Sequence, residues 1–387
     1  MTLPERRVPV SVLTGFLGAG KTTLLNRLLK DPTLTDTAVI INEFGEVGID
    51  HLLVAQSGDG IIELSDGCLC CTIRGELVDT LADLMDRMQS GKIQPLKRVV
   101  IETTGLADPA PVLQAVMGNP VLAHSFSLDG VITVVDAANG LSTLANHPEA
   151  VKQVAVADRV LISKTTLADA ATLEAVKREI AALNPRALVS DVDAPGLVGP
   201  DLLANGLYDP GSKIPDVRRW LHDEAQGHAD HHHHHDDHDH DHHGHDHHHD
   251  HGHQHAHDVT RHDATIRSFS IVHERAIDPM ALDLFVDLLR SAHGDKLLRM
   301  KGIVQLSTNP ERPVVLHGVQ SVFHPPERLA AWPDASDRRT RLVLITKDLP
   351  EAFVRDLFDA FTGTPKIDRP DRAALEDNPL AVPGFRF

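Results

Sequence analysis

Residues Val8 to Leu29 read VPVSVLTGFLGAGKTTLLNRLL, and this stretch decides the fold. Val8 to Leu13 is an apolar run that predicts a buried strand, and Thr22 to Leu29 carries a helical pattern. Between them Gly15-Phe16-Leu17-Gly18-Ala19-Gly20-Lys21-Thr22 is a full G-x-x-x-x-G-K-[ST] match, in its proper place between strand and helix. Glycines let the backbone wrap phosphates with its N–H groups, and the helix N-terminus adds partial positive charge. Lys21 is expected to reach the β- and γ-phosphates, and Thr22 to offer its hydroxyl to Mg2+. The predicted nucleotide cradle is Gly15, Gly18, Ala19, Gly20, Lys21, Thr22 and Thr23.

Outward from this loop, short apolar runs alternate with helical patterns through the first half of the chain. Ala38 to Ile41, Arg98 to Ile101, Gly130 to Val135 and Arg159 to Ile162 predict further strands, and Ile61 to Leu64 is strand-like. Continuous runs such as VITVV suit strands covered on both faces. The fold class predicted is α/β, a P-loop parallel sheet with helices on both faces. At the end of one predicted strand stands Ile101-Glu102-Thr103-Thr104-Gly105. P-loop GTPases usually carry Asp at such a strand end and Gly three residues on. Glu102 is therefore expected to hold Mg2+ through water, and Gly105 to meet the γ-phosphate through its N–H.

Periodicity stops near Asp216, and a His/Asp tract runs to about His262. Eighteen histidines and eight aspartates lie between His228 and Asp258, with no Lys or Arg. Such a composition cannot bury a core, which predicts disorder. From Ala264 order returns. Thr265 to Val272, Leu297 to Leu306, Pro313 to Val322 and Arg341 to Thr346 read as strands. Asp278 to Ser291 and Glu351 to Phe361 read as helices, giving an α+β unit with an expected antiparallel sheet. The predicted division is 1–215 for the nucleotide domain, 216–263 for the linker, 264–365 for the α+β domain and 366–387 for a tail.

The formal charge is -18, which argues against nucleic acid as a partner and offers no basic patch to a membrane. No apolar run approaches the roughly 20 residues of a membrane span, and the opening MTLPERRVPVSVLTG lacks signal-peptide architecture. A cytoplasmic address is the expectation. All three cysteines, Cys68, Cys70 and Cys71, fall within four positions. An odd, bunched set is no disulfide framework; it reads as a metal or redox site in a reducing compartment. Thiolates select soft ions, and three sulfurs leave a tetrahedral Zn2+ one open position for a Glu, a His, water or a client protein. An open shell suits a carrier better than a structural site.

Taken together these residues resemble the CobW-like family of P-loop metallochaperone GTPases, relatives of the nickel-insertion proteins HypB and UreG. The resemblance rests on GFLGAGKTT (15–23), Asn42-Glu43-Phe44-Gly45-Glu46 with Asp50, GCLCC (67–71), ETTGLADP (102–109) and GDKLLRMKG (294–302). It implies a GTPase domain, a variable His-rich linker and a smaller C-terminal domain. It also implies that Cys68, Cys70 and Cys71 bind the metal and that Asn42 to Asp50 is a nucleotide-responsive switch, with Glu43 a metal or Mg2+ neighbour. One departure stands out. Where the family has N/S-K-x-D for the guanine base, this chain has Ser163-Lys164-Thr165-Thr166. A threonine hydroxyl cannot accept the paired hydrogen bonds of guanine, a loss of about 1.5–3 kcal/mol, or roughly 10- to 150-fold in base preference. GTP is the expected nucleotide, with ATP as the alternative; Lys164 can stack its stem on either base.

Interleaved imidazoles and carboxylates in the His tract make mixed N/O sites for several divalent ions, so the tract reads as a metal buffer that weakens near pH 6. Isolated His273, His293, His317 and His324 are expected to be surface or core residues rather than ligands. The expected function is Zn2+ delivery to a zinc-dependent client protein, coupled to GTP state, with Mg2+ at the phosphates. Metal and nucleotide would then affect one another reciprocally. A metal-storage protein with vestigial hydrolysis, and a Co2+ insertion factor of the cobalamin or nitrile hydratase type, are the alternatives. A small-molecule kinase would leave GCLCC unexplained. A dimer dependent on nucleotide or metal is an open expectation for assembly.

Overall fold

The computed structural model describes residues 7–31, 34–42, 51–55, 61–64, 73–194, 200–203 and 266–363. Strand β1 (Val8–Gly15) lies at the centre of an eight-stranded sheet, and its side chains alternate between two cores. Val10 and Val12 face one core, while Leu13 packs into the other. Ser11 shares that second face, and its hydroxyl donates to the Leu203 carbonyl at 3.0 Å.

Along the chain come α1 (Lys21–Leu29), β2 (Thr37–Asn42), β3 (His51–Ala55), β4 (Ile61–Leu64), α2 (Ile73–Gln89) and β5 (Arg98–Thr103). Then follow α3 (Ala110–Gly118), α4 (Pro120–Ser125), β6 (Phe126–Asp136), α5 (Gly140–Asn146), α6 (Pro148–Ala155) and β7 (Arg159–Ser163). After a 3-10 turn (Thr165–Leu167) the domain closes with α7 (Ala170–Leu183), β8 (Leu188–Asp191) and α8 (Pro200–Leu203). The sheet order is β4-β3-β2-β5-β1-β6-β7-β8. From β2 to β8 every pairing is parallel, as expected.

Two features depart from the sequence reading. β3 pairs antiparallel with β2, and β4 antiparallel with β3, so the parallel sheet gains an antiparallel edge. The two turns of direction carry β4 back parallel to β2. Strand β8 was also not foreseen: at four residues, with every side chain at least partly exposed, it lacks the apolar run that marks a buried strand.

The second unit contains β9 (Ile266–His273), α9 (Pro279–His293), β10 (Leu297–Val304), β11 (Val314–Val319), β12 (Val322–Phe323), β13 (Glu327–Arg328), β14 (Thr340–Lys347) and α10 (Glu351–Thr362). Its strands pair antiparallel in the order β12-β11-β10-β14-β9, with β13 on β11. The expected single strand Pro313 to Val322 breaks at Gln320, which takes φ 54° and turns the chain. Phe285 of α9 and Phe358 of α10 meet edge to face at 5.2 Å and fill one core with Phe269, Met300 and Leu344. On the opposite face Leu298, Val319 and Ile345 join the core of the nucleotide domain.

An ion cluster crosses the same seam. Asp158, just before β7, receives Arg299 Nη2 at 2.6 Å and the Lys301 ammonium, and accepts from the Val131 N–H at 2.8 Å. Arg299 also donates to the Val156 carbonyl and lies 3.4 Å from His317 Nε2. Burial raises Asp158, but the two cations outweigh it and hold the carboxyl well below the usual range. Burial, with Arg299 and Lys301 beside it, drives His317 well below the ordinary imidazole value, so this ring is neutral.

Candidate functional site

The phosphate loop needs backbone conformations that side chains rarely tolerate. Gly15, Gly18 and Gly20 take φ of 141°, 71° and 98°. A Cβ on Gly15 would stand 2.4 Å from the Val134 carbonyl oxygen, so only glycine lets β1 turn here beside β6. Gly20 caps α1 without a side-chain acceptor, and no acid occupies the first turn. The first N–H groups of α1 and its positive dipole end thus face the loop unchallenged. Lys21 is buried, and its ammonium folds back to donate to the carbonyls of Gly15 (2.8 Å) and Phe16 (3.2 Å).

Thr22 Oγ1 donates to Glu102 Oε1 at 2.8 Å, joining the start of α1 to the end of β5. Hydroxyl and carboxylate are hard oxygen donors, and this pair, with Glu102 buried, suits Mg2+ better than a soft ion. Gly105 packs directly on the loop: a Cβ there would meet Leu17 N at 2.6 Å and Leu17 Cα at 2.7 Å. Sequence reasoning missed the residue that holds this turn. Gln153 of α6 is fully buried and donates to the carbonyls of Gly105 (3.1 Å) and Ala107 (3.0 Å). Nothing near position 153 in the sequence marks it, because its partners lie more than 40 residues away.

At the other side of the loop, Ser163 Oγ donates to the Ala19 carbonyl at 2.6 Å, binding the end of β7 to the cradle. Lys164 adopts a left-handed conformation (φ 55°, ψ 32°), and its ammonium sits 2.6 Å from Asp136 Oδ2. Asp136 further accepts from the N–H of Ala138 and the side chain of Asn139. Burial raises its pKa, but Lys164 and these donors together bring it below the usual value. Lys164 is thereby oriented beside the loop. A cavity of about 200 Å3 opens there between Phe16–Ala19, the end of β6, and α5 and α6.

Ala19, Gly20, Lys21, Thr22, Glu102, Gly105, Ser163 and Lys164 therefore converge on one edge of the sheet, and Thr23 is exposed on the first turn of α1. Glu43, the Asn42 to Asp50 stretch beyond Asn42, Cys68, Cys70, Cys71, the His tract and the tail lie outside the described residues. Among the described residues no cluster of three or more His, Cys, Asp or Glu could hold a metal ion. His273 and His293 instead meet Phe358 and Phe353 edge-on, and His317 and His324 are buried.

Residues 9–191 match the CobW/HypB/UreG nucleotide-binding domain, and residues 266–362 match the cobalamin synthesis protein cobW C-terminal domain. The chain belongs to the CobW family. One CobW-family relative is the zinc chaperone YjiA of Escherichia coli (strain K12), 32% identical over 353 residues, which take in 91% of this chain and 98% of that protein. Another is the zinc chaperone CobW of Sinorhizobium sp, 30% identical over 381 residues, with 91% of this chain and 96% of that protein covered. The crystal structure of Zn(II)-bound YjiA GTPase from E. coli superposes with a TM-score of 0.59 at 26% identity, over 92% of this chain and 99% of that one. The CobW-family assignment thus spans both sheets, and no described helix is long and apolar enough to cross a membrane.

Proposed function

We propose that this protein is a GTP-hydrolysing metallochaperone that binds Zn2+ through Cys68, Cys70 and Cys71 and passes it to a zinc-dependent client, with transfer coupled to nucleotide state. The supporting observation is where the strands end. In register, Leu64 of β4 aligns with Leu52, Leu52 with Ile40, and Ile40 with Ile101 of β5. Leu64 therefore lies three strand spacings, roughly 14 Å, from the residue preceding Glu102, at the same carboxyl edge as the phosphate loop. Cys68 follows Leu64 by four residues, a reach of about 14 Å at most. Leu64, the last described residue before Cys68, thus stands at the nucleotide edge, and four residues of chain can span the distance towards Glu102. Asn42, where the switch-like stretch begins, pairs with Thr103 at that edge too. The names and the zinc-bound state of the relatives above favour zinc over cobalt.

In this reading the triphosphate displaces the Gly15 and Phe16 carbonyls as the partner of Lys21, which turns to the β- and γ-oxygens. Thr22 and Glu102 would hold Mg2+, which would supply charge neutralisation at those oxygens. The Gly105 N–H, set by Gln153, donates to the γ-phosphate, so loss of that group releases the Gly105 turn. Three thiolates leave a tetrahedral zinc one position for a client ligand, and residues 216–263 supply exchangeable metal through their imidazoles.

GTP turnover with and without Zn2+ on the wild type and Cys68→Ser tests the coupling. Zinc is expected to change the wild-type rate and to leave Cys68→Ser unmoved. Equal rates in all four conditions would refute it.

A further inference from the structure

Guanine presents an N1–H and a 2-amino group side by side, two donors, where adenine presents the bare N1 acceptor. A site that prefers guanine needs a paired acceptor, and a carboxylate is the strongest one a protein offers. Thr166, at the position the family resemblance assigns to such a carboxylate, is a threonine and is exposed.

The sheet fixes where the base must lie. Thr22 and Glu102 meet on the β5 side of β1, so in the GTP reading the Mg2+ and γ-phosphate end would lie there. The nucleoside end must therefore extend the opposite way, over the ends of β6, β7 and β8. With strands about 4.8 Å apart, the ends of β7 and β8 stand roughly 10 and 14 Å from β1.

Among the described residues four carboxylates end or closely follow β6, β7 and β8. Asp136 is committed to Lys164 and Asn139. Asp193 pairs with Arg27 at 2.6 Å. Asp169 caps α7 through the Thr172 N–H at 2.7 Å. Asp191 differs from all three. It ends β8 in register with Ile162, one residue before Ser163. Its Oδ2 accepts from Thr165 Oγ1 at 2.8 Å, and its Oδ1 from the Asp193 N–H at 2.8 Å. Among the described residues it has no cation partner, and each oxygen keeps a lone pair. The turn that follows Lys164 is thus clamped, through Thr165, to a half-buried carboxylate on the next strand.

We infer that Asp191 reads the guanine N1–H and 2-amino group, taking over from strand β8 the task that Thr166 cannot perform in the turn after β7. Thr165 acts as its positioning residue. The inference rests on the GTP reading but not on zinc delivery.

The test is calorimetric binding of GDP, ADP and xanthosine diphosphate, each with Mg2+, to the full chain and to Asp191→Asn. In xanthine a C2 carbonyl replaces the 2-amino group, so the new side-chain amide should donate where the carboxylate accepted. Asp191→Asn is expected to lose roughly 10- to 150-fold in GDP affinity, to keep its ADP affinity, and to gain for xanthosine diphosphate. A GDP-to-ADP ratio unchanged by the substitution would overturn the role of Asp191. A wild type with no preference for GDP over ADP would instead overturn the GTP reading on which it stands.

Discussion

Asp158→Asn should unlatch the two units. In the wild type the carboxylate, 6% exposed, serves three donors at once: Arg299, Lys301 and the Val131 N–H. The amide is isosteric and its oxygen can still accept from Val131, so packing and that backbone bond persist. What disappears is the charge, leaving a guanidinium 3% exposed and an ammonium 21% exposed facing each other without a counter-ion. Removing one member of a buried pair typically costs about 3–5 kcal/mol, because the survivor remains desolvated. The apolar contacts of Leu298, Val319 and Ile345 across the seam stay in place, so the variant should fold. With both units unfolding together, this loss corresponds to a fall of about 5–8 °C in Tm. Urea unfolding followed by circular dichroism, on the wild type, Asp158→Asn, Arg299→Met and the double variant, measures it. The cycle should return a coupling of at least about 1 kcal/mol between Asp158 and Arg299. A destabilisation under about 1 kcal/mol with no coupling would refute the view that this cluster holds the domains together.

Two further outcomes follow from single contacts. Gly105→Ala places a methyl 2.6 Å from Leu17 N, so the Gly105 turn must shift from the phosphate loop. We expect single-turnover GTP hydrolysis to fall on the order of 100-fold while GDP affinity changes less than about threefold, because misplacement of about 1 Å acts on the transition state. Burial, with Arg299 alongside, lowers the Lys301 ammonium to about 8 against the pull of Asp158. Between that value and the unfolded pKa near 10.4, the unfolded chain holds a proton the folded one has lost, so stability rises with pH. From pH 7.5 to 9.5 the wild type should therefore gain about 1–2 kcal/mol over Lys301→Met in urea unfolding; an identical pH dependence of the two would contradict the assignment.

What the sequence made legible is what lies in consecutive residues. The phosphate loop, the strand before it and the helix after it declare themselves because eight adjacent positions must satisfy one backbone shape around a phosphate. The placement of Glu102 and Gly105 beside the loop is legible for the same reason, a strand end and a turn within four residues. Gln153, Asp158 and Arg299 were not. Each works through a partner far along the chain: Gln153 on Gly105, Arg299 on Asp158 across 141 residues. A lone buried polar side chain carries no periodic signal, and only the packing of α6 or of the second sheet tells where it points.

The motif Gly294 to Gly302 shows the difference within one stretch. As sequence it contributes only to a family resemblance; in the fold Arg299 and Lys301 are the two cations that grip Asp158 at the start of β7. The far end of that five-residue strand carries Ser163, hydrogen-bonded to the phosphate loop. One short, rigid strand therefore has the second domain fastened at its base and the nucleotide cradle fastened at its tip, about 16 Å apart. A strand buried on both sides does not bend to absorb a displacement at one end. Any movement the nucleotide imposes on Ser163 and Lys164 must be taken up either by the turn at Thr165 or by the seam at Asp158. The two substitutions Asp191→Asn and Asp158→Asn act on those two points separately, and comparing their effects on nucleotide preference and on domain stability tells which of them gives way.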